Sequence, residues 1–176
     1  MNWYRRSLLV GCYLLLSACA TSSIEKLGST YRIVVPASNW VLEFPGEGFK
    51  VNTADTSRPY YYLSSPDINV SFSFDRAIKC TSSESCRDYH ANRLKAVYPH
   101  PRKQGWRMSQ VGDVFVSENT DGVIEGFNLR QRHWNAHYVR EGIWVDVHLS
   151  KTNYRESDRE LFVRFIRSVK VKPKTD

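Results

Sequence analysis

Histidine and cysteine residues occur at spacings that could bring metal ligands together. Cys86 and His90 are four positions apart in a predicted helix, where such residues share one face. His133 and His137 are also four apart, but they lie in predicted strand, where that spacing corresponds to about 13 Å. Zinc needs three or four converging ligands, and a disulfide would remove the Cys86 thiolate. We therefore expect no metal site and no cofactor.

Serine, histidine and aspartate residues could together form a nucleophilic site. Asp146 and His148 alternate onto one face of a predicted strand. Ser71 and Ser73 could lie beside them on a neighbouring strand. No G-x-S-x-G elbow or other nucleophile motif accompanies these residues. A solvated or helix-covered polar face is the better interpretation, so we expect a protein that is not an enzyme; a hydrolase is the less favoured alternative.

Arginine and aromatic residues are interleaved late in the chain, a composition typical of binding hot spots. The candidate binding residues are Arg130, Arg132, Trp134, Tyr138, Arg140 and Trp144. Two arrangements remain open. The residues form one exposed binding surface, or the aromatic rings are buried beneath helices while the arginines cover the edge.

The first nineteen residues have the composition of an export signal. Arg5 and Arg6 precede an apolar run of about ten residues, which is shorter than a membrane-spanning helix. The run ends in Leu16-Ser17-Ala18-Cys19, which resembles the lipobox of bacterial lipoproteins: an aliphatic residue, two small residues and an acylated cysteine. The resemblance implies export by the Sec route, cleavage after Ala18, and acyl chains such as palmitate on Cys19.

The residues after the cysteine bear on the location of the protein. In lipoproteins of Gram-negative bacteria an aspartate there often marks retention in the inner membrane, and this chain has Ala20 and Thr21. The resemblance therefore implies the outer membrane, with the domain facing the periplasm. Cleavage removes 18 residues, among them Arg5 and Arg6 but no acid, so the formal charge falls from +7 to +5.

The cysteines that remain unmodified are Cys80 and Cys86. Five residues separate them, and exported proteins form disulfides in an oxidising compartment. We expect a small disulfide loop that stabilises the domain by roughly 2 kcal/mol. A redox-active pair is the alternative, but such pairs usually have two intervening residues.

The rest of the chain has the composition of one globular domain. Of its 176 residues 41% are hydrophobic and 13% aromatic, and a charged fraction of 24% excludes a polytopic membrane protein. The predicted division is residues 1–18 as signal peptide, 19–38 as lipidated cysteine and tether, 39–173 as a single domain and 174–176 as a tail.

Alternating strands and two helices make up the predicted domain. The clearest strand has Ile68, Val70, Phe72 and Phe74 on one face. A capping box, Thr81-x-x-Glu84, begins a helix that Pro99 ends, and a second box, Ser157-x-x-Glu160, begins the last helix. Strands are predicted between the helices, including a segment from Val123 to His133. The order of hairpins, helix, meander and helix indicates an α+β fold, a mostly antiparallel sheet with two main helices packed on it.

The segment from Trp40 to Phe49, WVLEFPGEGF, opens the first predicted hairpin, and Phe162, Phe165, Ile166 and Val169 close the domain. Together with the single middle helix and the long meander, this pattern resembles the PsbP-like α/β/α sandwich over residues 39–173. Members of this fold group are mostly adaptors and binding subunits without a shared catalytic motif. The resemblance implies a binding role and supplies no catalytic residue.

Positive charge narrows the class of partner. Nucleic acid is not a partner in the periplasm, so the charge favours acidic protein surfaces, anionic lipids, lipopolysaccharide or peptidoglycan carboxylates. We expect a non-catalytic lipoprotein, held at the membrane by its N-terminal lipid, that binds another envelope or secreted protein. It would act either as an assembly adaptor or as an immunity protein that neutralises a toxin. The alternative is a module that binds an anionic glycan or lipid of the envelope.

Overall fold

A computed structural model describes residues 23–55, 60–98, 103–121, 123–124, 126–128 and 130–175. The predicted signal peptide and Cys19 lie outside these residues. Within the described ranges no helix is long and apolar enough to span a bilayer. In chain order the elements are β1 (Ile24–Leu27), β2 (Thr30–Val34), β3 (Trp40–Pro45), β4 (Lys50–Asp55), β5 (Tyr60–Ser64), β6 (Asn69–Arg76), α1 (Ser83–Val97), β7 (Lys103–Val111), β8 (Val114–Asp121), β9 (Val123–Ile124), β10 (Phe127–Asn128), β11 (Arg132–Arg140), β12 (Ile143–Lys151), α2 (Arg159–Ser168) and β13 (Lys170–Pro173).

The strands form two antiparallel sheets and a short hairpin. The large sheet has the order β4-β5-β6-β12-β11-β8-β7, and the small sheet has the order β1-β2-β3-β13. Strands β9 and β10 pair with each other and form the short hairpin. The predicted α+β class, mostly antiparallel with two main helices, is confirmed.

Alternation along its strands gives the large sheet one apolar and one polar face. The apolar face packs on the small sheet, where Phe44 of β3 stacks on Phe72 of β6 with ring centroids 4.7 Å apart. It also packs on α2, whose Phe162 meets Trp134 of β11 edge-on at 5.5 Å. The residues of β12 buried on this face are Val145, Val147 and Leu149. This layer is the main core.

Helix α1 packs against β11 and β8 on the opposite face. Its N-cap is Ser82, whose Oγ accepts a hydrogen bond from the Ser85 N–H at 3.1 Å, while the Ser85 Oγ accepts one from the Ser82 N–H at 3.0 Å. The capping box therefore starts one residue later than the predicted Thr81. The fully buried residues of α1 are Cys86 and Ala91, so the interface between α1 and the sheet is largely polar.

Cys80 and Cys86 form the predicted disulfide, with Cα atoms 4.9 Å apart. The bond joins the loop that follows β6 to the first turn of α1. Both cysteines are buried and pack on Trp144 of β12. The disulfide therefore fixes the start of α1 over the sheet.

The folded domain begins earlier than the predicted boundary at residue 39. Ile24 of β1 lies opposite Ile33 of β2, and β2 pairs with β3. Tyr31, Ile33 and Val35 are all buried, because they alternate onto the inner face of the small sheet. The described part of the predicted tether, residues 23–38, therefore contains the strands β1 and β2.

Two further local predictions are wrong. Ser157 does not cap α2, which follows a 3₁₀ turn at Glu156–Asp158; the Asp158 carboxylate accepts a hydrogen bond from the Arg155 N–H at 2.8 Å. The segment from Val123 to His133 is not one strand, because the β9–β10 hairpin occupies its first part.

Candidate functional site

The polar face of the large sheet, partly covered by α1, concentrates the titratable residues. Period-two alternation places these side chains opposite the apolar core. The buried polar side chains of this face are Ser71, Ser117, Asn119, Asp121, His133, Asn135, His137 and Ser150. His148 and Asp146 are half-buried beside them.

One set of these residues, the polar row, runs across four strands. His133 Nε2 lies 2.9 Å from Asp121 Oδ2, and His133 Nδ1 lies 2.9 Å from His148 Nε2. The other nitrogen of His148, Nδ1, lies 3.4 Å from the Ser71 Oγ. The polar row is Asp121, His133, His148 and Ser71.

With neutral imidazole rings, one direction of hydrogen bonding fits the polar row. An ionised Asp121 only accepts, so His133 Nε2–H donates to it, and the neutral His133 ring then accepts at Nδ1 from His148 Nε2–H. His148 Nδ1 accepts in turn from the Ser71 hydroxyl. Such a chain polarises Ser71 weakly, because its last distance is at the limit of a hydrogen bond and Ser71 is only 7% exposed.

The predicted grouping of Ser71, His148 and Asp146 forms only in part. Ser71 meets His148, but the carboxylate aligned with them is Asp121, through His133. Asp146 belongs to a second set, the acid–histidine cluster of His90, His137 and Asp146. His90 Nε2 lies 3.6 Å from Asp146 Oδ2, and His137 Nδ1 lies 3.9 Å from Asp146 Oδ1.

His137 is held by neutral partners. Trp144 Nε1–H donates to His137 Nδ1 at 3.2 Å, so the ring carries its proton on Nε2 and donates to the Ser117 Oγ at 3.3 Å. Burial lowers the pKa of His137 well below its usual value, and electrostatic interactions with His90 and Arg87 lower it further. His137 is therefore a neutral residue of the interior.

Burial also separates the pKa values of the other two members of the cluster. It raises the pKa of Asp146 to about 7 and lowers that of His90 to about 4, with a further lowering from Arg93. Between about pH 4 and pH 7 both side chains are therefore mostly neutral. His90 Nδ1 and Asp146 Oδ1 are buried without a hydrogen-bond partner among the described residues.

His90 and Asp146 of the acid–histidine cluster form the floor of a surface cleft, which we call the α1 cleft. It lies where α1 leaves β6 and β12 uncovered, and it consists of two adjoining cavities of about 390 and 230 Å³. The two cavities share Asp75, Arg93 and Trp144. Arg76 and Lys79 lie at its mouth, so cationic side chains surround a polar floor.

A second depression, the α2 groove, lies on the other side of the domain. It has a volume of about 320 Å³ and is open and mostly apolar. Phe49, Leu161 and Phe165 line it, and Glu47 and Arg164 are charged residues at its rim. The sequence patterns did not indicate this groove, since α2, the β3–β4 turn and the β5–β6 turn meet only in the fold.

The six predicted binding residues do not form one exposed surface. Trp134 is fully buried, and Trp144 is 8% exposed. Tyr138 is half-buried, and burial raises the pKa of its hydroxyl. Arg130 and Arg140 are exposed, but they lie at opposite ends of β11. Trp134 and Trp144 are therefore buried and Tyr138 is half-buried, so the three rings do not lie together on an exposed surface.

Arg132, the sixth of these residues, pairs with a carboxylate that sequence reasoning missed. Its Nη2 lies 2.7 Å from the Oε2 of Glu118, whose side chain has no solvent exposure. Arg159 reaches the same carboxylate at 3.3 Å and stacks on Trp134 with a distance of 4.6 Å to the ring centroid. The signal was present, since Glu118 follows Val114 and Val116 at every second position of β8, on the face that packs into the core.

Metal ligands do not converge on the polar face. The part of the chain that the structure describes contains no group of three histidine, cysteine, aspartate or glutamate side chains able to hold a metal ion. Cys86 is in the disulfide, and His133 and His137 belong to different clusters.

Comparison with known proteins identifies the fold. No family model and no curated protein matches the chain. Cyanobacterial PsbP (CyanoP) from Synechocystis sp. PCC 6803 has a similar structure, with a TM-score of 0.54 and 14% sequence identity over 84% of this chain and 95% of that chain. The Ran-binding protein Mog1p of Saccharomyces cerevisiae matches with a TM-score of 0.49 and 10% identity, over 86% of this chain and 95% of its own. The likeness to CyanoP confirms the PsbP-like fold.

Proposed function

We propose that the protein is a lipoprotein of the outer membrane, anchored through Cys19 with its domain in the periplasm, and that the domain binds another protein without catalysing a reaction. The lipobox sequence supports the anchor. The buried disulfide fits an oxidising compartment. The partner is an envelope-assembly protein or a toxin that this protein neutralises.

The α2 groove is the observation that carries the binding role. Its apolar lining beside charged residues of both signs resembles the core and rim of a protein interface. The rings of Phe49 and Phe165 pack edge-on with their centroids 5.6 Å apart, and together they form an apolar wall of the groove. An apolar side chain of a partner would fill the groove, and an acidic residue beside it would pair with Arg164, which is exposed.

Site-specific photo-crosslinking tests this role in the full-length protein, in the envelope of the organism that makes it. A photoreactive amino acid replaces Arg164 in one variant and Asn92 in the other. Asn92 is a matched control, because it is exposed on α1 on the far side of the large sheet. We expect a discrete protein adduct at position 164 only, with a lower yield when Leu161→Asp is added.

Other outcomes would contradict the proposal. The same adducts at both positions would mean that the groove is not the contact surface. Adducts only to glycan or lipid would favour the alternative class, a module for an anionic envelope polymer, which the cations around the α1 cleft support.

The anchor has a separate test. Four residues separate Cys19 from Ile24, the start of β1, and they can span at most about 3.5 Å each. A lipid on Cys19 would therefore hold the small sheet close to the bilayer. Cys19→Ala should move the protein from the membrane fraction to the soluble periplasmic fraction, and unchanged membrane association would overturn the lipobox interpretation.

A further inference from the structure

The α1 cleft has an excess of cations that the domain itself does not neutralise. Arg76, Lys79 and Arg93 border it, and none of the three forms an ion pair within the described ranges. The one carboxylate at the mouth, Asp75, accepts a hydrogen bond from the backbone N–H of Arg76 at 2.7 Å. Like charges held around one cavity attract an anion.

The floor of the cleft can receive such an anion. The side chains of His90 and Asp146 are 15% and 14% exposed, and below pH 7 neither carries a charge that would repel an anion. A neutral carboxyl group is also a hydrogen-bond donor. Both residues already have one buried polar atom without a partner, which is costly unless a ligand or water supplies one.

The walls of the cleft are rigid. Tyr89 and Trp144 meet edge-on at 6.3 Å, and the Cys80–Cys86 disulfide closes one end. Trp144 is further fixed by its hydrogen bond to His137. A ligand therefore meets cations and aromatic edges that are already in place, which lowers the entropy cost of binding.

We propose that the α1 cleft binds a small anionic group, a carboxylate or a phosphate, between Arg93 at its mouth and the His90–Asp146 pair at its floor. This site is independent of the α2 groove. The titratable and charged groups that line it are Asp75 and Arg76 of β6, Lys79 of the following loop, Tyr89, His90 and Arg93 of α1, and Asp146 of β12. His137 of β11, which has no side-chain exposure, lies 3.9 Å from Asp146 Oδ1.

Calorimetric titration of the full-length protein in detergent tests the site. The probes are inorganic phosphate and N-acetylmuramic acid, whose carboxylate stays ionised between pH 6 and 8. We expect saturable binding of at least one probe. Arg93→Gln should weaken binding about tenfold, the usual effect of losing one charge-assisted hydrogen bond. Arg167→Gln, on the exposed face of α2, is the matched control and should leave binding unchanged.

The pH dependence gives a second readout. Asp146 is mostly neutral at pH 6 and mostly ionised at pH 8, so the affinity for N-acetylmuramic acid should fall about tenfold over this range. Asp146→Asn should still bind at pH 6 and should lose the pH dependence. No saturable binding of either probe, or equal effects of the Arg93 and Arg167 variants, would overturn the proposal.

Vesicles distinguish the sources of the anion. Binding to phosphatidylglycerol vesicles but not to phosphatidylcholine vesicles, lost in Arg93→Gln, would assign a lipid phosphate to the cleft. Binding of the free probes without vesicle binding would assign a soluble or glycan-borne anion.

Discussion

Glu118 and Arg132 form an ion pair in the interior of the domain, with Glu118 Oε2 2.7 Å from Arg132 Nη2 and no exposure of the Glu118 side chain. Arg159 donates to both oxygens of the same carboxylate at 3.3 Å, and the Ser109 hydroxyl donates to it at 2.7 Å. The network joins β7, β8, β11 and α2. Both oxygens of the Glu118 carboxylate are thus hydrogen-bonded.

Glu118→Gln should destabilise the domain by about 3 kcal/mol, because it leaves Arg132 and Arg159 without their shared carboxylate in a partly buried place. Urea unfolding at neutral pH measures the effect. Glu160→Gln, an exposed change on α2, is the control and should stay within about 0.5 kcal/mol of the original protein. A loss of similar size in both variants would contradict the structural role of Glu118.

The Cys80–Cys86 disulfide should contribute roughly 2 kcal/mol, because it closes a short loop in the unfolded chain. Urea unfolding of the protein with and without reductant measures this difference. Intact-mass analysis after thiol alkylation provides the control. Alkylation of both cysteines without reductant would show that the bond is absent from the isolated protein.

The fold was predictable where local patterns are strong. Alternation at Ile68–Phe74 identified β6, and the cysteine spacing identified the disulfide. The apolar stripe of Phe162, Phe165 and Ile166 identified α2 as a core helix. Strand β1 was missed because it has an exposed, mixed-polarity sequence and is ordered by pairing with β2.

The pairing of β8 with β11 depends on a strand register that the sequence does not encode locally. His133 lies opposite Asn119 of β8, whereas the two-residue turn Glu141–Gly142 fixes the register of β11 against β12. The irregular β9–β10 hairpin separates β8 from β11, so no turn motif fixes their pairing. The partners of Arg132 and His133 were therefore unpredictable, although alternation with Ala136 already favoured burial of Trp134.

Asp146 should make the stability of the domain fall as pH rises. Burial raises its pKa from 3.8 to about 7, so between these values the folded state holds a proton that the unfolded state has lost. Asparagine does not titrate in this range, so the stability of Asp146→Asn does not fall in this way as pH rises. Relative to the original protein it should gain stability from pH 4 to pH 7, by an amount on the order of 3 kcal/mol. Urea unfolding across this range checks it, and a constant difference between the two proteins would contradict it.

His90 should act in the opposite direction. Burial lowers its pKa from 6.5 to about 4, so between these values the unfolded state binds a proton that the folded state does not. The stability that depends on an uncharged His90 is fully present above pH 6.5 and is lost as pH falls towards 4. His90→Gln should therefore reduce the acid sensitivity of unfolding, measured by the same titration series. An unchanged slope of stability against pH would contradict the neutral state of His90.

Ser71 should not react as a nucleophile, although it lies at the end of a row that leads through two histidines to Asp121. Its Oγ is 3.4 Å from His148 Nδ1 and its exposure is 7%, so a substrate carbonyl cannot approach it without displacement of its neighbours. The full-length protein treated with a fluorophosphonate probe should therefore carry no adduct at Ser71 by peptide mass analysis. An adduct at Ser71 that disappears in His148→Asn would show an activated serine and contradict the proposed non-catalytic role. Ser71→Ala should instead cost only about 1 kcal/mol of stability, the value of one buried hydrogen bond.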